Sequence, residues 1–171
     1  MSDTTSAADL LTDAFGRIQQ LVTTVVTGLS TEDLQYQPNP DANSIGWLVW
    51  HLLRIQDDHV ADAAGSEQVW TAQGWHDRLG LPFDADDTGY GHSPEQVAAV
   101  VIGAPELLIG YSDAVCQRTA DFVAGLTETD LARVVDERWD PPVTLGVRLV
   151  SVLGDDWQHV GQAAYLKGLL G

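Results

Sequence analysis

The sequence predicts an all-α protein, a four-helix bundle built from two up-down helix pairs with an irregular insertion between the second and third helices. Two observations carry this prediction. Apolar residues recur at helical spacing in four long segments, and similar helix pairs occur in the two halves of the chain. Residues 1–171 are expected to form a single domain, since a chain of this length can bury a substantial core.

The first predicted helix runs from Ala7 to Gly28, where apolar side chains repeat every three or four positions. A short capped turn over Ser30–Leu34 and a proline-containing loop follow it. The second helix is predicted to begin near Asn43 or Ser44, because either residue can cap a helix N-terminus, and to run to about Gly65.

The insertion between the second and third helices covers residues 66–92. A short helix is predicted around Gln68–Leu79, followed by a turn-rich stretch. Because long connections in compact proteins tend to be functional, we expect this segment to cover or rim the functional site. Its aromatic contributions to such a site would be Trp70, Trp75 and Tyr90.

The third helix is predicted to begin at Ser93, since Ser93-Pro-Glu-Gln96 combines an N-cap serine, a first-turn proline and a capping-box glutamine. It should run to about Ala124 with a kink at Pro105. Asp136–Pro142 is predicted to be extended, because prolines restrict themselves and the residue before them.

The fourth helix is predicted over Thr144–Leu169. A weak internal repeat links the two halves: Gly28–Leu34 and Gly125–Leu131 share a similar pattern at the ends of the first and third helices. Each is followed by a proline-containing loop and a helix with an interior histidine. This pattern is consistent with pseudo-twofold symmetry, although sequence matches of this length also arise by chance.

Charge and cysteine content exclude several classes of function. The chain carries 25 acidic and 8 basic residues, a net charge of −17, so nucleic acid and anionic membrane surfaces are not expected partners. A single cysteine excludes an internal disulfide framework and fits a reducing cytoplasm. The N-terminus lacks the pattern of a signal peptide, and no apolar run is long enough to cross a bilayer. A cytoplasmic protein is therefore expected.

The last helix carries the residues with the clearest chemistry. Asp155 and His159 are four positions apart and share one helix face, so a carboxylate oxygen and an imidazole nitrogen can reach one cation. Asp156, three positions before His159, could substitute for Asp155 in this geometry. Gln162 lies on the next turn of the same side, and Arg148 lies two turns before Asp155.

His51 lies inside an apolar stretch of the second helix. A lone histidine on such a face is more often a hydrogen-bonded core residue than a ligand. Here, however, the two helices with interior histidines are the second members of the two pairs, and inward-facing side chains of a bundle can build a metal site between helices. We therefore predict one divalent metal ion held by His51, Asp155 and His159, with positions left open for water or substrate.

These motifs resemble the DinB-like superfamily. The resemblance rests on Asn43-Ser-Ile-Gly-Trp-Leu-Val-Trp-His51 and on Asp155-x-x-x-His159-x-Gly-Gln162, and it extends over nearly the whole chain. Within the superfamily, the sequence is most similar to the actinobacterial branch related to the N-terminal domain of mycothiol-dependent maleylpyruvate isomerase. Relatives carry one histidine on the second helix and an acid or histidine four positions before another on the last. Aspartate at the middle position is a departure, since relatives have histidine or glutamate there.

The resemblance implies a metal and a cosubstrate. The metal would be zinc, with nickel or iron as alternatives, and the cosubstrate a low-molecular-weight thiol activated as a metal-bound thiolate. The implied activity is that of a mycothiol or bacillithiol S-transferase, in which a mycothiol-like thiol attacks a small electrophile. The isomerase reaction itself is not expected, since the chain ends two residues after Leu169 without that enzyme's second domain.

Two other functions stay open beside the enzyme. One is a non-catalytic metal-binding bundle with a stress-response or ligand-binding role, and the other is a structural dimer whose histidines and aspartate are vestigial. A homodimer is also expected from the resemblance, because a single bundle rich in large apolar residues leaves a face to cover. Repulsion between two chains of strong negative charge opposes such a dimer.

Further residues are candidates for contacts with a substrate. Trp47 flanks His51, Arg54 lies one turn beyond it, and Arg148 and Gln162 lie on the ligand helix. Either arginine could instead pair with one of the abundant acids.

The remaining histidines, Asp58 and Cys116 are not expected to be metal ligands. Asp58 is two turns after His51 and could support the site. His59 lies roughly 80° around the helix from His51 and is left out of the site. His76 and His92 lie in the insertion, where exposure is the default, and Cys116 should be a buried small hydrophobe.

Overall fold

The computed structural model describes residues 5–171. Four long helices form the bundle: α1 (Ala7–Val26), α3 (Ile45–Ala64), α7 (Pro105–Val123) and α9 (Leu145–Leu169). Both α1 and α3 pack against α7 and α9, so α1 lies diagonally across from α3. The predicted all-α four-helix bundle is confirmed.

Short elements connect the long helices. They are α2 (Thr31–Leu34), α4 (Val69–Ala72), α5 (Trp75–Leu79), α6 (Pro94–Ala98), α8 (Glu128–Leu131), β1 (Val134–Asp136) and β2 (Val143–Thr144). The two strands pair in antiparallel orientation immediately before α9. α2 and α8, at corresponding positions of the two halves, each begin with a complete capping box.

Capping residues define the two helices that carry the candidate ligands. Ser44 caps α3 by accepting a hydrogen bond from the backbone N–H of Trp47 at 3.1 Å. At the other end of α3, Gly65 adopts a left-handed conformation with φ of 64°, which a glycine tolerates without strain. Thr144 caps α9 in the same manner as Ser44 caps α3.

The prediction of one continuous third helix from Ser93 to Ala124 with a kink at Pro105 is wrong. The chain forms two helices, α6 and α7, and Pro105 begins the second of them. Ala104 is extended, with φ of −155° and ψ of 136°, because a proline disfavours helical geometry in the residue before it. Proline at the first position of a helix loses no intrahelical hydrogen bond.

Two other local predictions need correction. The segment Asp136–Pro142 is not extended throughout: Asp136 ends β1, and residues 137–142 form the turn that leads back into β2. The predicted helix over Gln68–Leu79 is divided into α4 and α5. Gly74, with φ of 68°, separates the two helices.

The core fills the space between the four long helices, and the insertion adds to it. Trp70 and Trp75 are both buried in this apolar core. Within residues 5–171, no helix is long and apolar enough to cross a membrane.

Candidate metal centre

His51, Asp155 and His159 meet between α3 and α9. Each offers one potential ligand atom, and these atoms all lie within 4.8 Å of one another. The centres of the two imidazole rings are 5.0 Å apart. The structure therefore brings together the three residues that the sequence predicted as ligands.

The orientation of His51 is set by the insertion. Its Nδ1 lies 2.5 Å from the backbone carbonyl oxygen of Thr88. Because a carbonyl can only accept, Nδ1 carries the proton and Nε2 is left with a lone pair for a metal. The ring is buried and stacks on the indole of Trp47, with ring centres 4.5 Å apart.

The orientation of His159 is set within its own helix. Its Nδ1 donates to Oε1 of Gln162 at 2.8 Å, one turn later. Nε2 lies 3.5 Å from Oδ1 of Asp155, so both atoms point to the same space. Holding the far ring nitrogen in this way is how proteins orient metal-binding histidines.

The donor set fits a divalent cation. Oδ2 of Asp155 is shielded from solvent and has no hydrogen-bond partner within residues 5–171. An unpaired buried carboxylate oxygen costs free energy, and a cation would supply the missing partner. Two imidazole nitrogens and one carboxylate are the ligands that catalytic zinc sites use, with a further position left open.

The charges of the three ligands are coupled. Burial lowers the pKa of His51, so this ring is neutral near pH 7. Burial alone would raise the pKa of Asp155, but the hydrogen bond and charge of His159 outweigh it and lower that pKa. Burial opposes charge on His159 as well, yet its contacts with Asp155 and Gln162 raise its pKa. A metal ion would compete with this proton.

Asp156 does not substitute for Asp155. Its side chain is completely buried within the bundle, about 100° around α9 from that of Asp155. Burial and the neighbouring Asp155 raise its pKa well above the usual range. Of the two aspartates that the sequence left open, the structure therefore selects Asp155 as the residue that joins the histidines.

Two clefts lie near the triad, one at Asp155 and one at Gln162, the hydrogen-bond partner of His159. The larger, of about 510 Å³, is reached past Gln162 and is lined by Asp41, Ala42, Asn43, Leu48, Gly161, Gln162, Tyr165 and Leu166. The smaller, of about 220 Å³, begins at Asp155 and is lined by Ile55, His59, Tyr90, Ser151, Val152 and Asp155. A molecule in the smaller cleft would thus contact the triad at Asp155, whereas one in the larger cleft would contact Gln162.

The insertion rims the site, as predicted, but not with all the aromatic residues that were expected. Thr88 contacts His51, and the exposed Tyr90 lines the smaller cleft. Trp70 and Trp75 lie in the apolar core instead, because α4 and α5 pack against the bundle.

The expectation that His92 is exposed is wrong. Its side chain is buried between aromatic rings, and Nε2 lies 3.0 Å from Oδ1 of Asp87. Its Nδ1 accepts the indole N–H of Trp47 at 3.1 Å. This chain of contacts fixes the indole that stacks on His51.

The residues predicted to contact substrate have different environments. Gln162 lines the larger cleft, whereas Trp47 packs against both histidines of the triad. Arg54 is completely buried, and its guanidinium is occupied by protein acceptors, so it does not face a substrate. Arg148 donates to Oδ2 of Asp136 at 2.9 Å, and its other nitrogen lies 3.4 Å from Nδ1 of His59.

Sequence reasoning missed the position of His59. It lines the smaller cleft with Ile55 and Asp155, because steps of four residues from His51 drift only about 40° each around α3. Burial, followed by the charge of Arg148, lowers its pKa. Asp58, expected to support the site, instead accepts a hydrogen bond from Gln68 at 2.7 Å and tethers the insertion.

Cys116 is buried, as predicted. Burial raises the pKa of its thiol to about 12, so this residue is a poor nucleophile near neutral pH.

The fold and the triad define a class: a four-helix bundle with a candidate metal centre between its second and fourth long helices. The sequence profile of the DinB superfamily matches residues 14–163, and the chain belongs to this superfamily. It is similar to a conserved protein from Enterococcus faecalis whose crystal structure is known, with 30% identity and a TM-score of 0.88 over 96% of each chain. A comparison with curated proteins finds no match.

Proposed function

We propose that this DinB-superfamily protein binds one divalent metal ion and is a transferase that activates a low-molecular-weight thiol, similar to mycothiol, for attack on a small electrophile. Zinc is the proposed metal, with nickel or iron as alternatives. The observation that carries the proposal is the buried Oδ2 of Asp155, which has no hydrogen-bond partner in the described part of the chain and lies beside two oriented imidazoles.

The number of ligands supports a catalytic role over a structural one. Structural zinc sites are closed by four protein ligands, whereas His51, Asp155 and His159 are three. The smaller cleft begins at Asp155, and the larger one is lined by Gln162, the hydrogen-bond partner of His159. A site of this kind can accept a molecule from solution.

A bound divalent cation lowers the pKa of a coordinating thiol so that it is present as the nucleophilic thiolate. No separate protein base is then needed near the thiol. Cys116 is not proposed as the nucleophile, since its thiol is buried and its pKa is raised.

The lining of the clefts supports an uncharged thiol. Among the described residues that line either cleft, none is lysine or arginine, and Asp41 adds a negative charge to the larger one. Asn43, Gln162 and Tyr165 offer amides, a hydroxyl and an aromatic ring, which suit a hydroxyl-rich molecule. We assign the body of the thiol to the larger cleft and the electrophile to the smaller one, beside His59.

The proposal is tested in two stages. Elemental analysis and thermal shift should first show one stabilising metal per chain, since a ligand of the folded state raises the melting temperature. The zinc-loaded protein should then accelerate thioether formation between mycothiol and monochlorobimane. Asp155→Ala should abolish the acceleration, and Cys116→Ser should retain it.

Metal binding without any acceleration, for mycothiol or for bacillithiol and glutathione, would favour the non-catalytic metal-binding bundle. Loss of activity in Cys116→Ser would assign the nucleophile to the protein and contradict activation of an external thiol.

A further inference from the structure

Arg54 is completely buried one turn beyond His51, yet within residues 5–171 it lines neither cleft and makes no hydrogen bond to the triad. Burying a guanidinium is unfavourable unless its donors are satisfied. The fold therefore has to provide acceptors for it, and the identity of those acceptors indicates what the side chain does.

Four hydrogen-bond acceptors surround the guanidinium, and two of them belong to one loop. Nε donates to the carbonyl oxygen of Asp87 and Nη2 to that of Ala85, both at 3.2 Å. Nη1 donates to Oε1 of Gln68 at 2.7 Å and, more weakly, to the hydroxyl oxygen of Tyr111 at 3.5 Å. Oδ2 of Asp57 lies 3.8 Å from Nη1 and balances the charge. Arg54 thus fastens residues 85–87 to α3 through the backbone.

The segment held in this way, residues 85–92, is the one that orients His51. Thr88 follows directly and places its carbonyl oxygen on Nδ1 of His51. The carboxylate of Asp87 closes the segment on itself by accepting from the backbone N–H of Gly89 at 2.7 Å and pairing with His92. The position of the Thr88 carbonyl therefore depends on contacts that Arg54 makes.

We propose that Arg54 is a positioning residue for the metal ligand His51. By holding residues 85–87, it keeps the Thr88 carbonyl on Nδ1 and so keeps the lone pair of His51 on Nε2, toward Asp155 and His159. This inference rests on the proposed metal-binding function. It assigns to Arg54 a role different from the substrate contact that its sequence position suggested.

The geometry requires arginine and not merely a positive charge. The planar guanidinium donates in three directions at once, whereas a lysine ammonium is a compact point charge on a flexible stem. Arg54→Lys keeps a charge near Asp57 but cannot hold both loop carbonyls and Gln68 in the same way.

The test compares Arg54→Met and Arg54→Lys with Gln56→Met. Gln56 is a matched control, since it is also buried on α3 and hydrogen-bonded, but to Thr119 on the side of α7. Two properties are measured on the full chain: the tautomer of His51 by nitrogen-15 NMR at pH 8 without metal, and the affinity for Co²⁺ from its visible absorption.

Both Arg54 variants should lose the preference of His51 for the Nδ1–H tautomer, shift the Co²⁺ spectrum and bind Co²⁺ about 10–100-fold more weakly, the usual cost of removing an outer support. Gln56→Met should lower the melting temperature and leave the tautomer and affinity unchanged. If Arg54→Met does not fold, Arg54→Lys decides the question.

An unchanged His51 tautomer with unchanged Co²⁺ affinity in the Arg54 variants would overturn the role of Arg54, as would equal losses in Gln56→Met. Failure of the wild-type protein to bind Co²⁺ would instead refute the metal-binding proposal. The tautomer measurement separates these cases because it needs no metal.

Discussion

His51 on α3 and His159 on α9 are held in the same site by different means. The support for His51 comes from Thr88, a residue 37 positions later in the chain, and the ring is buried. The support for His159 comes from Gln162, three positions later on the same helix, and this contact is exposed. One ligand is therefore oriented only after the insertion has folded, whereas the other is oriented by its own helix.

The largest expected effect distinguishes the two ligands in the metal-free protein. His51→Ala should lower the free energy of unfolding by about 2–4 kcal/mol, because it opens a cavity and leaves the Thr88 carbonyl without its donor. His159→Ala should cost less, about 1 kcal/mol, because this ring is only half-buried and its hydrogen bond lies within its own helix. Urea unfolding in the presence of a chelator measures both.

Both alanine variants should also lose the thermal stabilisation that metal provides to the wild-type protein. Equal losses of metal-free stability in the two variants would contradict the difference in support described above.

A smaller effect is expected from the insertion itself. Gly89 has φ of 85°, and a Cβ there would lie 2.8 Å from Trp50 and 3.1 Å from Nδ1 of His51. Gly91 has φ of 75° but has nothing within 4 Å of a Cβ, among the described residues. Both Gly→Ala changes strain the backbone, so their difference isolates the contacts of a residue-89 side chain with Trp50 and His51.

Gly89→Ala should therefore be less stable than Gly91→Ala by about 1–3 kcal/mol, the usual cost of overpacking. It should also bind metal more weakly, whereas Gly91→Ala should bind as the wild type does. Thermal unfolding and Co²⁺ titration check this, and similar affinities for the two variants would show that the insertion does not control His51.

The local support on α9 should matter less to stability. Gln162→Ala removes the acceptor of His159 and should weaken metal binding by about tenfold without changing the metal-free melting temperature. Gln158 provides the control, since it is exposed on the same helix and bonds only to the carbonyl of Gly154 at 3.0 Å, within the described chain. A loss of affinity in Gln158→Ala equal to that in Gln162→Ala would count against orientation of His159 through Nδ1.

The smallest effect on stability is expected from Asp136, which pairs with Arg148 near the start of α9. Hydrogen bonds from the Arg138 side chain and backbone, and from Arg148, hold the pKa of Asp136 well below its usual range. A depressed folded-state pKa stabilises the fold above the unfolded value of about 3.9, and the contribution is lost as the pH falls. Asp136→Asn should lower the melting temperature at pH 7, and this difference should shrink below about pH 4.

Metal affinity should not change in Asp136→Asn, because Arg148 is anchored two turns away from Asp155. A weaker affinity would indicate that the hairpin before α9 also supports the triad.

The sequence predicted the contacts that depend on helical spacing and missed those that depend on the path of the loops. Asp155 and His159 share a face because they are four residues apart, and His51 could be added from the pairing of the helices. The choice between Asp155 and Asp156 could not be made from spacing, because it depends on which face of α9 is turned toward α3 in the bundle. The role of the Thr88 carbonyl could not be predicted, since a backbone acceptor leaves no signature in residue type.

The fold was predictable to a similar extent. The capping residue Ser44 located the start of α3 closely, because the physical cause is local. Pro105 was misjudged, since proline both kinks helices and begins them, and only the extended backbone of Ala104 distinguishes the two cases. Arg54 was wrongly predicted to contact substrate, because the sequence does not show that residues 85–87 of the insertion cover it on α3.

The central claim, that His51, Asp155 and His159 hold one divalent metal ion, is tested most directly by metal content. Wild-type protein and Asp155→Ala are loaded with zinc, freed of excess metal by gel filtration and examined by elemental analysis. We predict one zinc per wild-type chain and a large loss in Asp155→Ala, with Asp13→Ala, at an exposed acid on α1, as a control that retains it. Equal zinc content in wild type and Asp155→Ala, or none in the wild type, would contradict the account.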